Sequence, residues 1–442
     1  MYFYFNRKLS FQRYTYVLSI SIIFMLMYLP CSRWGTIFGN GDLKLTHKRI
    51  SLEEAITIAI ENNPELQVTK DQIDASIGLL RQSRLYPNPV LELLAEEMPT
   101  HEIGFHQSQN LVAVTQPIIL GGKRGLGIRI SEKVKERDIL ESEAVLITII
   151  ADTKKAFYKT LAAQEGLGIA KNIEKITHET YQSEQARFEA GEVPITNVLR
   201  AEVELSMARN SVFNAEGKLQ NSLKELLNVM GTPDETVTGV TGRLLIKPKK
   251  LLLHELEEKM KNNQPLLKAS RKNIEIAETE LTLEKRQVIP DINISAGYKR
   301  LSLENVDTIQ MGIEIPAPFF NRNQGNIQKG KALSRKAKNE NVSVYNDLLF
   351  QLKTNFHSYQ VKQKQVIEYK DRILPRADES LTLITEGYNE GEFSYMDLLD
   401  TKRMWAETRI SYIESLKDFN LVLADIEKLA VTKIEEQYQG TK

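Results

Sequence analysis

The chain has 442 residues, and its 58 acidic and 58 basic side chains cancel to a formal net charge of +0. That balance excludes bulk attraction to nucleic acid or to anionic lipid. A single cysteine excludes a disulfide framework and a cysteine-based zinc site.

Arg7, Lys8 and Arg13 precede an apolar run from Tyr16 to Leu29, followed by Pro30-Cys31-Ser32. This is the basic n-region and short h-region of a secretory signal, so residues 1–32 read as a signal sequence with an open cleavage point. The run is short for a membrane-spanning helix; the competing reading is an uncleaved anchor. Cys31 stands where a lipoprotein cysteine follows an h-region, which makes it the candidate lipidation site. Pro30 fits the small residue of that pattern poorly, and an unmodified cysteine in or near a cleaved signal is the other reading.

Ser51-Leu52-Glu53-Glu54 is a capping box that starts a helix running to about Asn63. Pro64 restarts it toward Arg84, and Pro87-Asn88-Pro89 stops it. A strand pair follows, with Leu91, Leu93 and Ala95 on one face of the first strand and Leu111–Gln116 as the second. From Gly122 to about Phe188 there is no proline, which predicts one very long helix of about 100 Å. The return helix carries Val198, Ala201, Leu205, Ala208, Val212, Ala215 and Leu219 at steps of 3 and 4, a heptad seam.

The second half reads in the same order. Helices are expected near Leu252–Asn262 and Pro265–Val288, stopped by Pro290. Asp291–Tyr298 and Thr308–Ile315 alternate polar and apolar residues at period 2, which predicts two strands. A long helix over about Asn326–Glu386 contains Pro375, which should kink or interrupt it. The last helix repeats the seam through Leu398, Thr401, Trp405, Thr408, Tyr412, Ser415 and Phe419. Residues 187–205 are matched at 387–405: Gly191-Glu192 falls on Gly391-Glu392 and Val198-Leu199 on Leu398-Leu399. Near-constant offsets over most of the chain mean a duplicated unit of about 200 residues, longer than solenoid repeats. The expected division is residues 51–245, residues 246–431 and a short tail, 432–442.

Strands with one apolar and one polar face suit a membrane barrel. Four strands cannot close one, and an open edge in lipid leaves backbone groups unsatisfied. Neighbouring copies must therefore complete it, and three copies supply twelve strands. The rival class is a non-transport structural protein, a periplasmic or membrane-associated coiled coil. Such a rod has no need of the strand pairs.

From about Ser51 to Val431 the chain resembles the TolC-type outer-membrane efflux factors. The motifs that carry the resemblance are Ala55-Ile56 with Asn63-Pro64, Pro87-Asn88-Pro89, Gln116-Pro117-Ile118, Phe188-Glu189-Ala190-Gly191-Glu192, Pro316-Ala317-Pro318-Phe319-Phe320-Asn321-Arg322, and Gly391 followed by Asp397-Leu398-Leu399-Asp400. The resemblance implies a mainly helical fold with some strand: duplicated long-helix hairpins forming a periplasmic α-barrel, plus four strands per chain in a trimeric twelve-stranded outer-membrane β-barrel. It implies a homotrimer in outer-membrane lipid, a periplasmic adaptor (membrane fusion protein) and an inner-membrane resistance-nodulation-division pump. Gln116–Arg124 and Pro316–Gly325 look most like the heavy-metal-cation branch of the family, similar to CzcC.

The resemblance also names site residues. Asp397 and Asp400 match the acidic pair around the periplasmic entrance, where a ring of carboxylates would attract cations. The competing reading of Asp397 is helix capping by Ser394-Tyr395-Met396-Asp397. Tyr388, Thr196 and Asn197 occupy positions that hold the entrance shut. Phe393 replaces an expected tip arginine and Asn197 an expected tip aspartate, which argues against an ionic latch and leaves a Tyr388–Asn197 hydrogen bond as one candidate link. Gly191 and Gly391 mark the hairpin tips that meet the adaptor, and glycine there is also ordinary turn chemistry.

His101-Glu102-Ile103-Gly104-Phe105-His106 misses the zinc-protease motif, with histidines five apart in a strand-connecting loop; chance metal binding there is the residual reading. Gly121-Gly122-Lys123-Arg124 lacks the rest of a phosphate loop and reads as a strand-to-helix turn. No catalytic constellation stands out, so the expectation is a passive exit duct with no enzyme activity and no cofactor.

Overall fold

The computed structural model describes residues 48–98, 101, 104–244 and 250–432. The expected signal sequence with Cys31 and all but the first residue of the expected tail lie outside the described residues. In chain order the first half holds β1 (Lys48–Ile50), α1 (Leu52–Asn62), α2 (Pro64–Ser83), β2 (Val90–Glu96), β3 (Gln109–Ile118), α3 (Lys123–Glu189), α4 (Ile195–Val229) and β4 (Val237–Val240). The second holds α5 (Leu253–Asn263), α6 (Pro265–Arg286), β5 (Ile292–Leu301), β6 (Val306–Glu314), α7 (Gln324–Glu368), a π-helical turn (Tyr369–Ile373), α8 (Leu374–Asn389) and α9 (Tyr395–Ala430). Two helices, two strands and a long helical hairpin therefore occur twice.

Local chemistry sets the element ends. The Ser51 hydroxyl accepts from the Glu54 N–H at 3.2 Å, and the Glu54 carboxylate accepts from the Ser51 N–H at 2.9 Å. Both capping-box bonds are made. Pro64 sits in the first turn of α2, where a missing N–H costs nothing. Asn63 caps that helix through the Glu65 N–H at 2.9 Å and donates to the Val229 carbonyl at 2.8 Å, which ties the junction to the end of α4.

The 67-residue α3 is the spine. At the level of α2 the helices pack in the order α2–α3–α6–α7, and toward the tips in the order α4–α3–α9–α8. The four-stranded sheet has the order β2–β3–β5–β6. At every level the molecule is thus a strip of wall. One edge comes from the first half (β2, α2, α4) and the other from the second (β6, α7, α8).

The heptad seams pack as the periodicity predicts. Val198, Ala201, Leu205, Ala208, Val212 and Leu219 are buried along α4, as are Leu398, Trp405 and Phe419 along α9. The second long helix is interrupted, but the break lies before Pro375, at the π turn. Proline cannot donate to the carbonyl four residues back, and its ring crowds that oxygen. A wider turn just upstream moves the carbonyls aside, and α8 then starts with Pro375 in its first turn. The turn itself holds no buried residue.

β1 and β4 were not expected. They form a short parallel pair in which Arg49 and Ile50 lie beside Gly239 and Val240. The Gln164 side chain of α3 accepts from the Val240 N–H at 3.1 Å and donates to its carbonyl at 3.2 Å. Ile50 is fully buried beneath them.

Candidate functional site

The residues that the sequence singled out lie in two regions, the sheet with its connections and the hairpin tips. All three strand pairings are antiparallel and in regular register. Ile294 lies opposite Ile313, Ala296 opposite Met311 and Tyr298 opposite Ile309. On the same face, Val114 pairs with Ala296 and Leu91, and Val112 with Tyr298 and Leu93. This face is apolar and exposed, with Met311 80% accessible. The other face carries Glu92, Glu96, Thr115, Asn293, Gln310 and Glu314 by strand alternation. It is also the crowded face. A Cβ on Gly297 would lie 2.8 Å from that of Ala113, and one on Gly312 would lie 2.7 Å from Ser295 Oγ. Side chains converge on the inside of a curved sheet, so the polar face is the concave one. β2 and β6 remain unpaired edges.

The sheet is fastened to the helices at Gly121-Gly122, both left-handed. The following Lys123 is buried; its ammonium donates to the Ile289 carbonyl at 2.8 Å and pairs with Asp291 at 2.8 Å. This is the expected strand-to-helix turn. His101 and His106 lie in the loop between β2 and β3, with Glu102 and Ile103 outside the described residues. Among the described residues no group of three or more His, Cys, Asp or Glu side chains could hold a metal ion.

Each hairpin tip turns on a left-handed glycine, Gly191 (φ 79°) and Gly391 (φ 84°). The Glu192 N–H reaches back to the Arg187 carbonyl at 2.9 Å, and the Glu392 N–H to the Gly387 carbonyl at 2.8 Å. These are matching helix-terminating turns. Phe393 covers Gly387 so closely that a Cβ there would lie 2.4 Å from the ring.

Asp397 closes a capping box: its carboxylate accepts from the Ser394 hydroxyl at 2.6 Å and the Ser394 N–H at 3.0 Å. Those bonds hold its pKa below the ordinary carboxylate value. Asp397 and Asp400 are both exposed, on the face of α9 away from the buried Tyr395 and Leu398. Thr196 is exposed, Asn197 half-buried and Tyr388 buried.

The candidate Tyr388–Asn197 hydrogen bond is not the link that forms. Both residues meet on Glu184 of α3. The Tyr388 hydroxyl donates to its Oε1 at 2.5 Å, and the Asn197 amide to its Oε2 at 3.3 Å. A carboxylate is the stronger acceptor, and a hydrogen bond to it is charge-assisted. Glu184 is 0% exposed and lies 3.8 Å from Arg187, whose guanidinium stands 5.1 Å from the Tyr388 ring. Burial, then the Glu184 bond, pushes the Tyr388 phenol well above its usual pKa, so it is a permanent donor.

Two more polar links cross between the hairpins. Lys402 of α9 donates to Thr180 of α3 at 2.6 Å, and Arg403 pairs with Glu204 of α4 at 3.0 Å. Burial lowers the Lys402 pKa, with Glu184 and Glu179 opposing. A small core of Ala201, Tyr388, Tyr395 and Leu398 joins the two hairpins beside these links. Glu184 was missed in the sequence, although Thr177, Tyr181, Glu184 and Phe188 step by 4, 3 and 4 along one stripe. A glutamate on a seam between two aromatic residues is the signal that could have found it.

A curved, two-faced sheet that is open at both edges and continues into helical hairpins of about 100 Å defines a subunit of an outer-membrane channel. A family model described as "Outer membrane efflux protein" matches residues 55–232 and 256–429, and the chain belongs to that family. Among curated relatives, the cobalt-zinc-cadmium resistance protein CzcC of Cupriavidus metallidurans is 28% identical over 364 residues, 82% of this chain and 86% of the relative. The nickel-cobalt-cadmium resistance protein NccC of Alcaligenes xylosoxydans xylosoxydans is 24% identical, over 63% of this chain and 62% of the relative. Among solved structures, CusC superposes with a TM-score of 0.72 at 14% identity, covering 89% of this chain and 95% of that one. The protein is an outer membrane efflux channel that extends into the periplasm. It belongs among transporters rather than enzymes, and family members are trimeric components of tripartite efflux pumps. The rival reading as a non-transport coiled coil is set aside.

Proposed function

We propose that three copies close head to tail into one exit duct for heavy-metal cations, fed by a periplasmic adaptor and an inner-membrane resistance-nodulation-division pump. The observation that carries the closure is the pair of unpaired edges. β2 and β6 run in opposite directions, so β6 of one copy meets β2 of the next in antiparallel fashion. Twelve strands then form a barrel with no edge left in lipid. The same rotation brings α4 of one copy against α7 and α8 of the next. This gives a use to the apolar side chains exposed along α4, among them Leu199, Val203 and Met207.

The cargo rests on the relatives named for cobalt, zinc, cadmium and nickel resistance and on the acids at the tip. In our reading Asp397 and Asp400 line the entrance, six carboxylates in three copies, and select cations by close-range charge. Tyr388, Thr196 and Asn197 belong to the gate, and we add Glu184 to it because Tyr388 and Asn197 both bond it. The Gly191 and Gly391 turns receive the adaptor, which explains why these tips are exposed and matched in shape.

The test is complementation. In a cell lacking its own channel for a zinc or cobalt efflux pump, the wild-type chain supplied with the cognate adaptor and pump should restore metal tolerance. Replacing Gly191 and Gly391 by valine, which resists the left-handed conformation, should abolish it while trimers still form. Restored tolerance to organic toxicants but not to metals would refute the cargo; wild-type rescue by the valine variant would refute the tip assignment.

A further inference from the structure

Tyr395 opens α9 at the junction of the two hairpins and is 5% exposed. Its ring packs against that of Tyr388, with centroids 5.9 Å apart and planes tilted by 52°. Its hydroxyl oxygen is buried and has no hydrogen-bond partner among the described residues. A buried hydroxyl without a partner has lost its hydration and gained nothing in exchange. The charged groups that act on it are the carboxylates of Glu184 and Glu204 and the Arg200 guanidinium, and Glu184 is the acceptor of the hydroxyl of Tyr388, the ring that Tyr395 packs against. Both carboxylates are occupied. Glu184 is held by Tyr388 and Asn197, and Glu204 by Arg403.

We propose that Tyr395 is the second setting of the latch. When the second hairpin shifts along the first and Tyr388 and Arg403 let go, the Tyr395 hydroxyl, still facing the first hairpin, donates to one of the carboxylates they held. This inference rests on the reading of Tyr388 as a gate residue. The two tyrosines, seven positions apart around one turn, then act with opposite sign. Tyr388 stabilises the fastened state. Tyr395 is orphaned in that state and satisfied in the other, so it offsets the latch and keeps it breakable.

Phenylalanine removes each hydroxyl and keeps the ring, so the tip core stays filled. Single-channel recordings in planar bilayers would compare wild type, Tyr388→Phe, Tyr395→Phe and the double variant, each checked as a trimer first. Tyr388→Phe should raise the open fraction. Adding Tyr395→Phe to that opened channel should lower it again by about ten-fold, the effect of one buried hydroxyl bond. If Tyr388→Phe opens the channel and Tyr395→Phe leaves the open fraction unchanged or raises it further, the second-setting role is wrong while the gate reading stands. If Tyr388→Phe leaves the open fraction unchanged, the gate reading fails and takes this inference with it.

Discussion

Arginine placed at Met311 should prevent assembly, while arginine at the adjacent Gln310 should be tolerated. Met311 lies on the outward face of β6, opposite Ala296 and between the exposed Ile309 and Ile313. The nine residues of β6 extend about 30 Å, or somewhat over 20 Å along the axis of a tilted barrel. Met311 therefore falls near the middle of the apolar band. A midplane arginine costs about 2–4 kcal/mol per strand, and a ring of three copies multiplies it to about 6–12 kcal/mol. Gln310 points the other way, toward the polar face, and is exposed. The assay is the yield of heat-resistant trimers in the outer-membrane fraction, followed by urea titration in vesicles. Met311→Arg should lose most of its trimer, and Gln310→Arg should match wild type. Equal loss in both, or loss only in Gln310→Arg, would show that the faces are assigned the wrong way round.

Ala208 is buried in the seam of α4, so Ala208→Leu should overpack it and cost about 1–3 kcal/mol, read as a lower Tm of the detergent-solubilised trimer. Arg209 is exposed and only 3.7 Å from Glu174, so Arg209→Ala should change stability by about 0.5 kcal/mol or less. Replacing both Asp397 and Asp400 by asparagine should abolish cation preference in bilayer recordings; unchanged selectivity with weaker hydrogen-exchange protection of α9 would reduce Asp397 to its cap. That cap has an acid limit. The Asp397 pKa is lowered by folding, so its contribution is present above the ordinary value of 3.8 and is lost as pH falls through the lower folded value. Protection from exchange at the start of α9, relative to the unstructured rate at the same pH, should therefore fall below about pH 4 in wild type, and Asp397→Asn should remove that dependence.

Much of the architecture was legible because its signals are local and repeated. Ser51 and Glu54, Ser394 and Asp397, the strand alternation and the 3–4 steps of the seams each depend on residues within one turn or one pleat of each other. The duplication then allowed each half to support the other. What escaped has other causes. β1 and β4 are three and four residues long, too short to show a period, and they pair across most of the first half. The π turn lies upstream of the proline that provokes it, because the clash falls on the preceding carbonyls. Glu184 was hidden by its own type: a glutamate in a long helix normally faces water. Only the approach of the second hairpin, 204 positions further along, turns it into a buried acceptor. A direct Asn197–Tyr388 bond was one candidate link, and the shared carboxylate between them could not be read from either residue.

Two similar hairpins per chain invite the picture of a sixfold mouth, but the π turn precludes that symmetry. It occurs in only one hairpin; the other runs through α3 without a break. In the ring of three proposed above, every second pillar carries the π turn and ends in Asp397 and Asp400, and every other pillar is unbroken and ends in Asn197 and Arg200. The rim of such a ring would be three-cornered in helix continuity and in charge alike. A partner docking on such a rim would find two kinds of seat, one on an unbroken helix and one on a helix interrupted by the π turn.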